Sequence, residues 1–238
     1  MLLTFDDRPS DSPFVERIWR SRSERAGMFH SMAMSHWEMV VTKYNGNTIF
    51  TVRGPESKAT RLQLSSVGAE WFGIRFKLGT VMPYLPASSL VDEDVNLPDA
   101  SSNSFWLKGS AWQFPSYDNA DTFVDRLVRE GLLIQNPIVL MALRGQLRDV
   151  SIRTARRHFL RTTGLTQSAI HQIERARYAT ILLRQGASIL NTVYEAGYSD
   201  QPHLTKSLKH LIGQTPAQIM GKGEPQQLSF LYKTDPLC

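Results

Sequence analysis

The segment AGYSDQPHLTKSLKHLIGQT, residues 196–215, decides the fold of the C-terminal part of the chain. Ser188 can cap a short helix that ends at Gly197, because glycine takes the left-handed conformation at a helix end without a side-chain clash. A second helix starts at Ser199 or Asp200, either of which can cap it, and it tolerates Pro202 in its first turn. Two helices joined by so short a turn predict a helix-turn-helix.

The second of these helices has two different faces. In a helix-turn-helix, the N-terminal residues of the second helix read the major groove of DNA. Taken alone, the segment is also compatible with an ordinary helical hairpin that has a solvated basic face. Its inner stripe contains Leu204, Leu208, Leu211 and Ile212, and another side carries Gln201, Thr205, Lys206 and Lys209.

A similar pattern occurs upstream. Residues 136–144 predict a helix, residues 145–150 a connection, and Ser151 caps a basic helix over 152–161 that Gly164 closes. Ala155 and Phe159 face inward in this helix, whereas three arginines cluster on the other side. Arginines in this arrangement suit guanine edges or phosphates. They are Arg153, Arg156 and Arg157.

A long helix is predicted between the two patterns. It covers Gln167 to Gln185, ends at Gly186, and spans about 28 Å at ~1.5 Å per residue. Major-groove faces on one side of a duplex recur about every 34 Å. The helix therefore either links two reading helices along one side of DNA or simply belongs to the core, and both interpretations can hold together.

Residues from about Pro137 to Met220 resemble the C-terminal DNA-binding domain of the AraC/XylS family of transcription regulators. The matching motifs are AGYSDQ at 196–201, LTKSLK at 204–209, GQTPA at 213–217, and RRHF at 156–159 with TGL at 163–165. The resemblance implies two helix-turn-helix units joined by a linker helix. It assigns base reading to Arg153, Arg156, Arg157, Gln201, Pro202 and Lys206, and Lys209 joins them as a DNA-binding residue.

Two positions depart from the family pattern. Pro202 replaces the usual polar residue, which weakens the expectation of direct base reading there. Residues 146–149 replace the glycine turn that usually precedes the first recognition helix. The placement of the upstream recognition helix is thus less defined by the resemblance than that of the downstream one.

Charge is distributed unevenly along the chain. The formal net charge is +5, and residues 138–222 hold 12 Lys and Arg against 4 Asp and Glu, whereas residues 1–137 hold 14 against 16. Positive charge concentrated on one domain is typical of nucleic-acid binding. An anionic membrane surface would attract it too, but no segment is long and apolar enough to span a bilayer. We expect double-stranded promoter DNA, and no membrane, as a partner.

Cysteine usage and the N-terminus point to the cytoplasm. Cys238 is the one cysteine, so no intrachain disulfide or cysteine-cluster zinc site can form. Residues 1–7 lack the basic start and apolar run of a secretory signal. The predicted domains are 1–135, rich in β structure, 136–222, which binds DNA, and a tail at 223–238.

The N-terminal part is predicted to be mostly strand. Residues 37–44 and 47–53 flank Asn45-Gly46, a strong signal for a two-residue hairpin. Residues 71–76 predict a further strand, 83–98 loop and short helix, and 118–133 a helix. This half resembles the sensory half of AraC-type regulators, which is often a small β-barrel of the cupin kind. The whole chain is therefore predicted to be α+β.

A sensor needs a pocket, and the aromatic residues of this half suggest one. Ligand pockets are mostly apolar with a few polar groups, but aromatic residues also dominate small cores. Arg75 meets either an anionic effector or solvent. The candidate effector-binding residues are Trp37, Trp71, Arg75 and Trp106, and Phe72, Phe76 and Trp112 are further aromatics that line a cavity or fill the core.

Metal and catalytic sites are not expected. His30, His36 and Glu38 resemble an early metal cluster, yet no further histidine occurs before residue 158 to complete it. Gly197-Tyr198-Ser199 begins like a nucleophile elbow, but Gln201 stands where that motif needs glycine. We predict no metal, no cofactor and no catalytic residues.

The sequence thus predicts a DNA-binding transcription regulator that is not an enzyme. Its N-terminal domain binds a small-molecule effector or forms a homodimer, and an activator would also contact RNA polymerase. One alternative is a cupin-like small-molecule-binding protein or enzyme with an attached DNA-binding domain. Another is an N-terminal domain that serves only for protein interaction.

Overall fold

A computed structural model describes residues 2–64, 67–147, 150–221 and 227–228. It confirms a mostly β N-terminal part followed by a helical C-terminal part. The strands are β1 (Leu3–Arg8), β2 (Val15–Ser23), β3 (Gly27–Ser31), β4 (Glu38–Tyr44), β5 (Asn47–Arg53), β6 (Thr60–Leu64), β7 (Glu70–Phe76), β8 (Thr80–Val81), β9 (Asp94–Leu97), β10 (Asp99–Ser101), β11 (Ser104–Leu107), β12 (Ser110–Gln113), β13 (Ile134–Gln135) and β14 (Gln227–Leu228). The helices are α1 (Ala120–Arg129), α2 (Pro137–Leu143), α3 (Ile152–Thr163), α4 (Gln167–Arg184), α5 (Ile189–Glu195), α6 (Gln201–Leu211) and α7 (Pro216–Ile219), with a 3₁₀ helix at Ala87–Ser89.

The chain forms two compact units, neither of which is contiguous in sequence. Unit 1 contains Met1–Ala26, His36–Pro55 and Ser66–Leu165. Unit 2 contains Gly27–Ser35, Glu56–Ser65 and Thr166–Cys238. The helices α2 and α3 consequently belong to unit 1, and α4 to α7 belong to unit 2.

Unit 1 is built on a six-stranded antiparallel sheet in the order β1-β2-β7-β4-β5-β9. Asn45 and Gly46 connect β4 to β5 with φ of 50° and 78°. Two successive positive φ angles are those of the predicted two-residue hairpin, whose twist matches that of its strands. The strand predictions at 37–44, 47–53 and 71–76 are therefore confirmed to within one residue. β9 was missed, since it lies in the stretch 83–98 that was predicted as loop and short helix.

The core of unit 1 lies between this sheet and α1. α1 buries Ala120, Phe123, Val124 and Leu127. The Phe50 ring of β5 lies 4.3 Å from that of Phe105 and 6.0 Å from that of Phe123, measured between centroids. Such tilted and edge-on ring pairs add to the apolar burial. α1 is shorter than the predicted helix at 118–133 because residues 130–133 turn away at Gly131, which has a positive φ of 66°.

The upstream helix pair, α2 and α3, packs within unit 1. The Asn136 side chain caps α2 by accepting from the amides of Ile138 and Val139. Ser151 caps α3, and Gly164 ends it with a φ of +75°. A Cβ built on Gly164 would lie 2.4 Å from Cγ2 of Val91, so α3 ends in close contact with the segment that follows the 3₁₀ helix. Residues 148 and 149 of the α2–α3 connection lie outside the described residues.

Unit 2 combines α4 to α7 with two strands from the N-terminal half. β3 pairs with β6 in antiparallel fashion. Just beyond these strands, the Ala33 amide donates to the Leu211 carbonyl at 2.8 Å, and the Ala59 amide donates to the His210 carbonyl at 2.9 Å. The last carbonyls of a helix have no partner within the helix. Residues near 33 and 59 therefore complete the C-terminal end of α6.

The predicted linker helix is present as α4, whose 18 residues are capped by the side chain of Thr166. Unlike an exposed spacer, α4 buries residues on several sides, among them Ile170, Ile173, Ala176 and Leu183. α4 is thus a core helix of unit 2.

In the described part of the chain, no helix has the length and apolar character that crossing a membrane requires.

Candidate nucleic-acid interface

The predicted upstream recognition helix, α3, presents its arginines to solvent. Ala155 and Phe159 are buried, which fixes the opposite side of the helix outward. Arg153, Arg156 and Arg157 are exposed. Over the described ranges, none of the three forms an ion pair with a carboxylate. Their guanidinium groups are consequently available to an anionic or hydrogen-bonding partner.

The predicted downstream recognition helix, α6, begins after Asp200, whose Oδ1 accepts from the His203 amide at 2.7 Å. Of the two predicted caps, Asp200 rather than Ser199 therefore holds the helix start. Leu204 and Leu208 are fully buried. The predicted DNA-binding residues of this helix are all exposed: Gln201, Pro202, Lys206 and Lys209.

The turn between α5 and α6 is held by an aromatic residue. Tyr198 is buried, and its hydroxyl lies 3.0 Å from Oγ of Ser207 on α6. The guanidinium carbon of Arg175, on α4, lies 4.4 Å from the centroid of the Tyr198 ring. Arg175 also donates to the Gly197 carbonyl at 3.3 Å. Helix α4 is thus attached to the turn through a cation–π contact and a hydrogen bond.

Sequence reasoning did not single out Arg175. It lies in the middle of α4, and helical periodicity places it among apolar residues without indicating a partner. The only available signal was Tyr198, an aromatic residue directly after the turn glycine in a polar segment. Its pairing with a residue 23 positions earlier is a tertiary contact that periodicity does not reveal.

Gly197 has a φ of +68°, and a Cβ at this position would meet nothing within 4 Å. Substitution therefore acts through backbone strain alone. We expect Gly197→Val to destabilise the turn by about 1–2 kcal/mol, the cost of the left-handed conformation for an ordinary residue. DNA affinity should fall in parallel, as measured by fluorescence anisotropy and thermal unfolding. Gly197→Asn is the control, since asparagine tolerates this conformation. Equal stability of the valine variant and the wild type would contradict the assignment.

The four candidate effector residues do not lie together. Trp37 is buried, stacks on Phe76 with centroids 4.1 Å apart, and donates from Nε1 to the Thr80 carbonyl at 2.9 Å. Arg75 is buried too, and its Nε donates to Oε1 of Glu38 at 2.7 Å. Trp106 is 46% exposed on β11. Trp37 and Arg75 thus serve the interior of unit 1.

Trp71 lines a cleft of about 570 Å³ in unit 1. The cleft lies over β1, β2, β4 and β7 and beside the segment 115–118. Its lining mixes aromatic rings with charges of both signs, some of which pair with each other: Arg20 with Asp6, and Arg22 with Glu70. The lining residues that define it are Phe5, Trp71, Phe72 and Tyr117, with Arg20, Arg22 and Lys43 against Asp6, Glu70 and Asp118.

Two of the three residues considered for a metal have a charged partner elsewhere. Nε2 of His36 lies 2.7 Å from Oε2 of Glu16, and Glu38 is paired with Arg75. Burial, and then the Arg61 guanidinium, lower the pKa of His30. Throughout residues 2–64, 67–147 and 150–221, no three His, Cys, Asp or Glu residues are grouped as metal ligands.

One comparison with known proteins covers the helical part. Residues 148–222 match a family model described as a helix-turn-helix domain. Among solved structures, the chain is similar to ToxT from Vibrio cholerae, with 12% sequence identity over 93% of this chain and 99% of that one, at a TM-score of 0.33. A comparison with curated proteins gives no match.

Proposed function

We propose that this chain, whose residues 148–222 match a helix-turn-helix family model, is a transcription regulator of the AraC type that reads promoter DNA with two recognition helices. The observation that carries the proposal is that α3 and α6 each bury one apolar stripe and expose cationic side chains. Among the described residues these cations have no carboxylate partner. A helix of this kind fits the major groove, where phosphates and base edges replace solvent.

The side chains divide into three roles. Arg153, Arg156 and Arg157 on α3 are proposed to contact guanine edges, which accept two hydrogen bonds from one guanidinium. On α6, Gln201 and Lys206 are proposed to contact bases, while Lys209, further from the helix start, contacts phosphate. Pro202 has no donor to offer and is proposed to contribute apolar contact only.

The test is the selection of bound fragments from genomic DNA by the purified chain at near-physiological salt, followed by footprinting of the best fragment. Two protected major-groove patches on one face of the duplex, about one helical turn apart, are expected. One protected patch would restrict the proposal to a single recognition helix. Binding without a preferred site would overturn it, since phosphate contacts alone give affinity without sequence preference.

The Arg156→Ala variant tests base reading by α3. We expect a loss of about 1–3 kcal/mol of binding free energy on the best site and relaxed preference at one base pair. Arg129→Ala is the matched control, because it removes an exposed positive charge from α1. Affinity is measured by anisotropy on the best site and on its single base-pair variants. The salt slope is the slope of log affinity against log salt concentration. If binding instead weakens equally on all sites and the magnitude of the salt slope falls by about 1, Arg156 contacts phosphate.

For the N-terminal part we propose regulation by a small-molecule effector in the cleft around Trp71 or by homodimer formation. A ligand of the native state raises its melting temperature, so a thermal-shift screen of organic acids, sugars and amines tests the first route. The expected shift should disappear in Trp71→Ser. Sedimentation of the chain at micromolar concentration tests the second. If neither a ligand-dependent thermal shift nor a dimer is found, the N-terminal part serves only to bind another protein.

The proposed site of action is the cytoplasm, on promoter DNA, with RNA polymerase as a further partner if the chain activates transcription. The competing function is a small-molecule enzyme that carries a DNA-binding domain. Turnover that depends on an added metal would favour it over the regulator. Reporter transcription from the selected promoter, with and without the chain, decides the sign of regulation.

A further inference from the structure

His203 was not among the predicted DNA-binding residues, yet it is exposed in the first turn of α6. Its Nδ1 lies 3.1 Å from Oγ of Ser199, and the same Oγ donates to Oδ2 of Asp200 at 3.1 Å. A carboxylate has no proton to give, so the single hydroxyl proton of Ser199 is used on Asp200. When both hydrogen bonds form together, the Ser199 oxygen must accept from His203, and this assigns the ring proton to Nδ1 and leaves Nε2 as an acceptor in the neutral ring.

The ring of His203 is also fixed in orientation. It packs against Tyr198 with centroids 5.1 Å apart and an interplanar angle of 84°. Tyr198 is in turn held by Ser207 and by Arg175, as described above. Arg175 contacts the Tyr198 ring, against which His203 packs, and the carbonyl of Gly197, so α4 is linked to this imidazole through Tyr198.

His203 lies three residues before Lys206, and residues at this spacing are neighbours on a helix surface. Nε2, which has no hydrogen-bond partner within the described part of the chain, is thus next to a side chain already proposed to enter the major groove. The donors that a base pair presents in that groove are the N4 amino group of cytosine and the N6 amino group of adenine.

We propose that His203 reads one base pair by accepting, at Nε2, a hydrogen bond from the exocyclic amino group of adenine or cytosine. Arg175 and Tyr198 act as positioning residues that hold the imidazole for this contact. The inference rests on the proposed DNA-binding function and adds to it a specific residue and a specific base chemistry.

The experiment measures binding of the full chain to its selected site and to sites in which single adenines or cytosines are replaced by analogues without the exocyclic amino group. For the wild type, one such replacement in the footprint of α6 should weaken binding at least about fivefold. For His203→Ala, the same replacement should have no effect. Circular dichroism and the melting temperature establish that the variant is folded.

Two results would overturn the proposal while leaving the proposed function intact. In the first, His203→Ala weakens binding equally on every site and reduces the salt slope by about 1, which identifies a phosphate contact. In the second, the variant and the wild type respond alike to every analogue. If the wild type itself has no preferred site, the proposed function fails, and the base contact fails with it.

The positioning role is tested with Arg175→Lys, which keeps the charge but loses the planar group that stacks on Tyr198. We expect this variant to lose discrimination at the base pair read by His203 with an unchanged salt slope. Arg184→Lys, at the exposed end of the same helix, is the matched control and should behave as the wild type. Full discrimination by Arg175→Lys would show that Arg175 does not position His203.

Discussion

Arg75→Met is expected to lower the free energy of unfolding by about 3–5 kcal/mol, the usual cost of removing one partner from a buried ion pair. Arg75 is 6% exposed and Glu38 is 1% exposed, and Nε of Arg75 lies 2.7 Å from Oε1 of Glu38. The same oxygen accepts from Nε1 of Trp19 at 3.1 Å. Methionine fills a similar volume, so the loss arises mainly because the carboxylate of Glu38 stays buried without its cation. Urea denaturation followed by tryptophan fluorescence measures it.

The double variant Glu38→Gln/Arg75→Met is the control for this prediction. It removes both charges, and glutamine can still accept from Trp19, so it should recover much of the lost stability. A double variant no more stable than Arg75→Met would attribute the loss to packing. If Arg75→Met retained wild-type stability, the buried ion pair would not be important for the fold.

The isolated fragment 136–222 is expected to show no cooperative thermal transition. Removing the N-terminal half deprives α6 of the Ala33 and Ala59 donors and removes the Gly79 carbonyl, which accepts from the Asn136 amide at 2.8 Å. Each backbone hydrogen bond contributes about 0.5–1.5 kcal/mol. Apolar surface on α2 also becomes exposed, because Leu140 lies 3.2 Å from the position of a Cβ on Gly79. The three hydrogen bonds amount to about 1.5–4.5 kcal/mol, and with the exposed apolar surface the loss reaches the lower end of the ~5–15 kcal/mol by which whole domains are stable.

Differential scanning calorimetry and limited proteolysis of the fragment beside the full chain measure this outcome. Rapid cleavage within α3 and α6 in the fragment, but not in the full chain, is expected. A cooperative transition near the melting temperature of the full chain would show that residues 136–222 fold independently. It would support the predicted domain limits, which remain a prediction.

The proposed DNA-contacting surface could be predicted largely from sequence because it depends on local signals. The helices that the periodicity predicts are capped by the side chains of Ser151, Thr166 and Ser188. Gly164 ends α3, and Gly197 begins the turn that follows α5. The arginines of α3 are exposed because Ala155 and Phe159 recur at helical spacing and must be buried. Each of these caps, helix ends and exposed sides depends on residues within about one or two helical turns of one another.

The environments of the effector candidates could not be predicted from local signals. Trp37, Trp71 and Trp106 look alike in sequence, but they become a core residue, a cleft residue and an exposed residue. Alternation along a strand separates two faces without telling which face another layer covers. The burial of Arg75 could not be predicted either, because its partner Glu38 lies on a neighbouring strand, 37 residues away.

The sequence by itself determined the helix-turn-helix pattern, its caps, its turn glycine, its basic side and the Asn45-Gly46 hairpin, because all of these depend on contacts between residues close along the chain. Only the tertiary structure decided that residues 33 and 59 complete the end of α6, that Arg175 holds the turn before it, and that α3 packs against the 3₁₀ helix and α2 against the β7–β8 turn. These contacts join segments more than 20 residues apart. They are selected by the burial and hydrogen bonding of the whole chain, which no local pattern encodes.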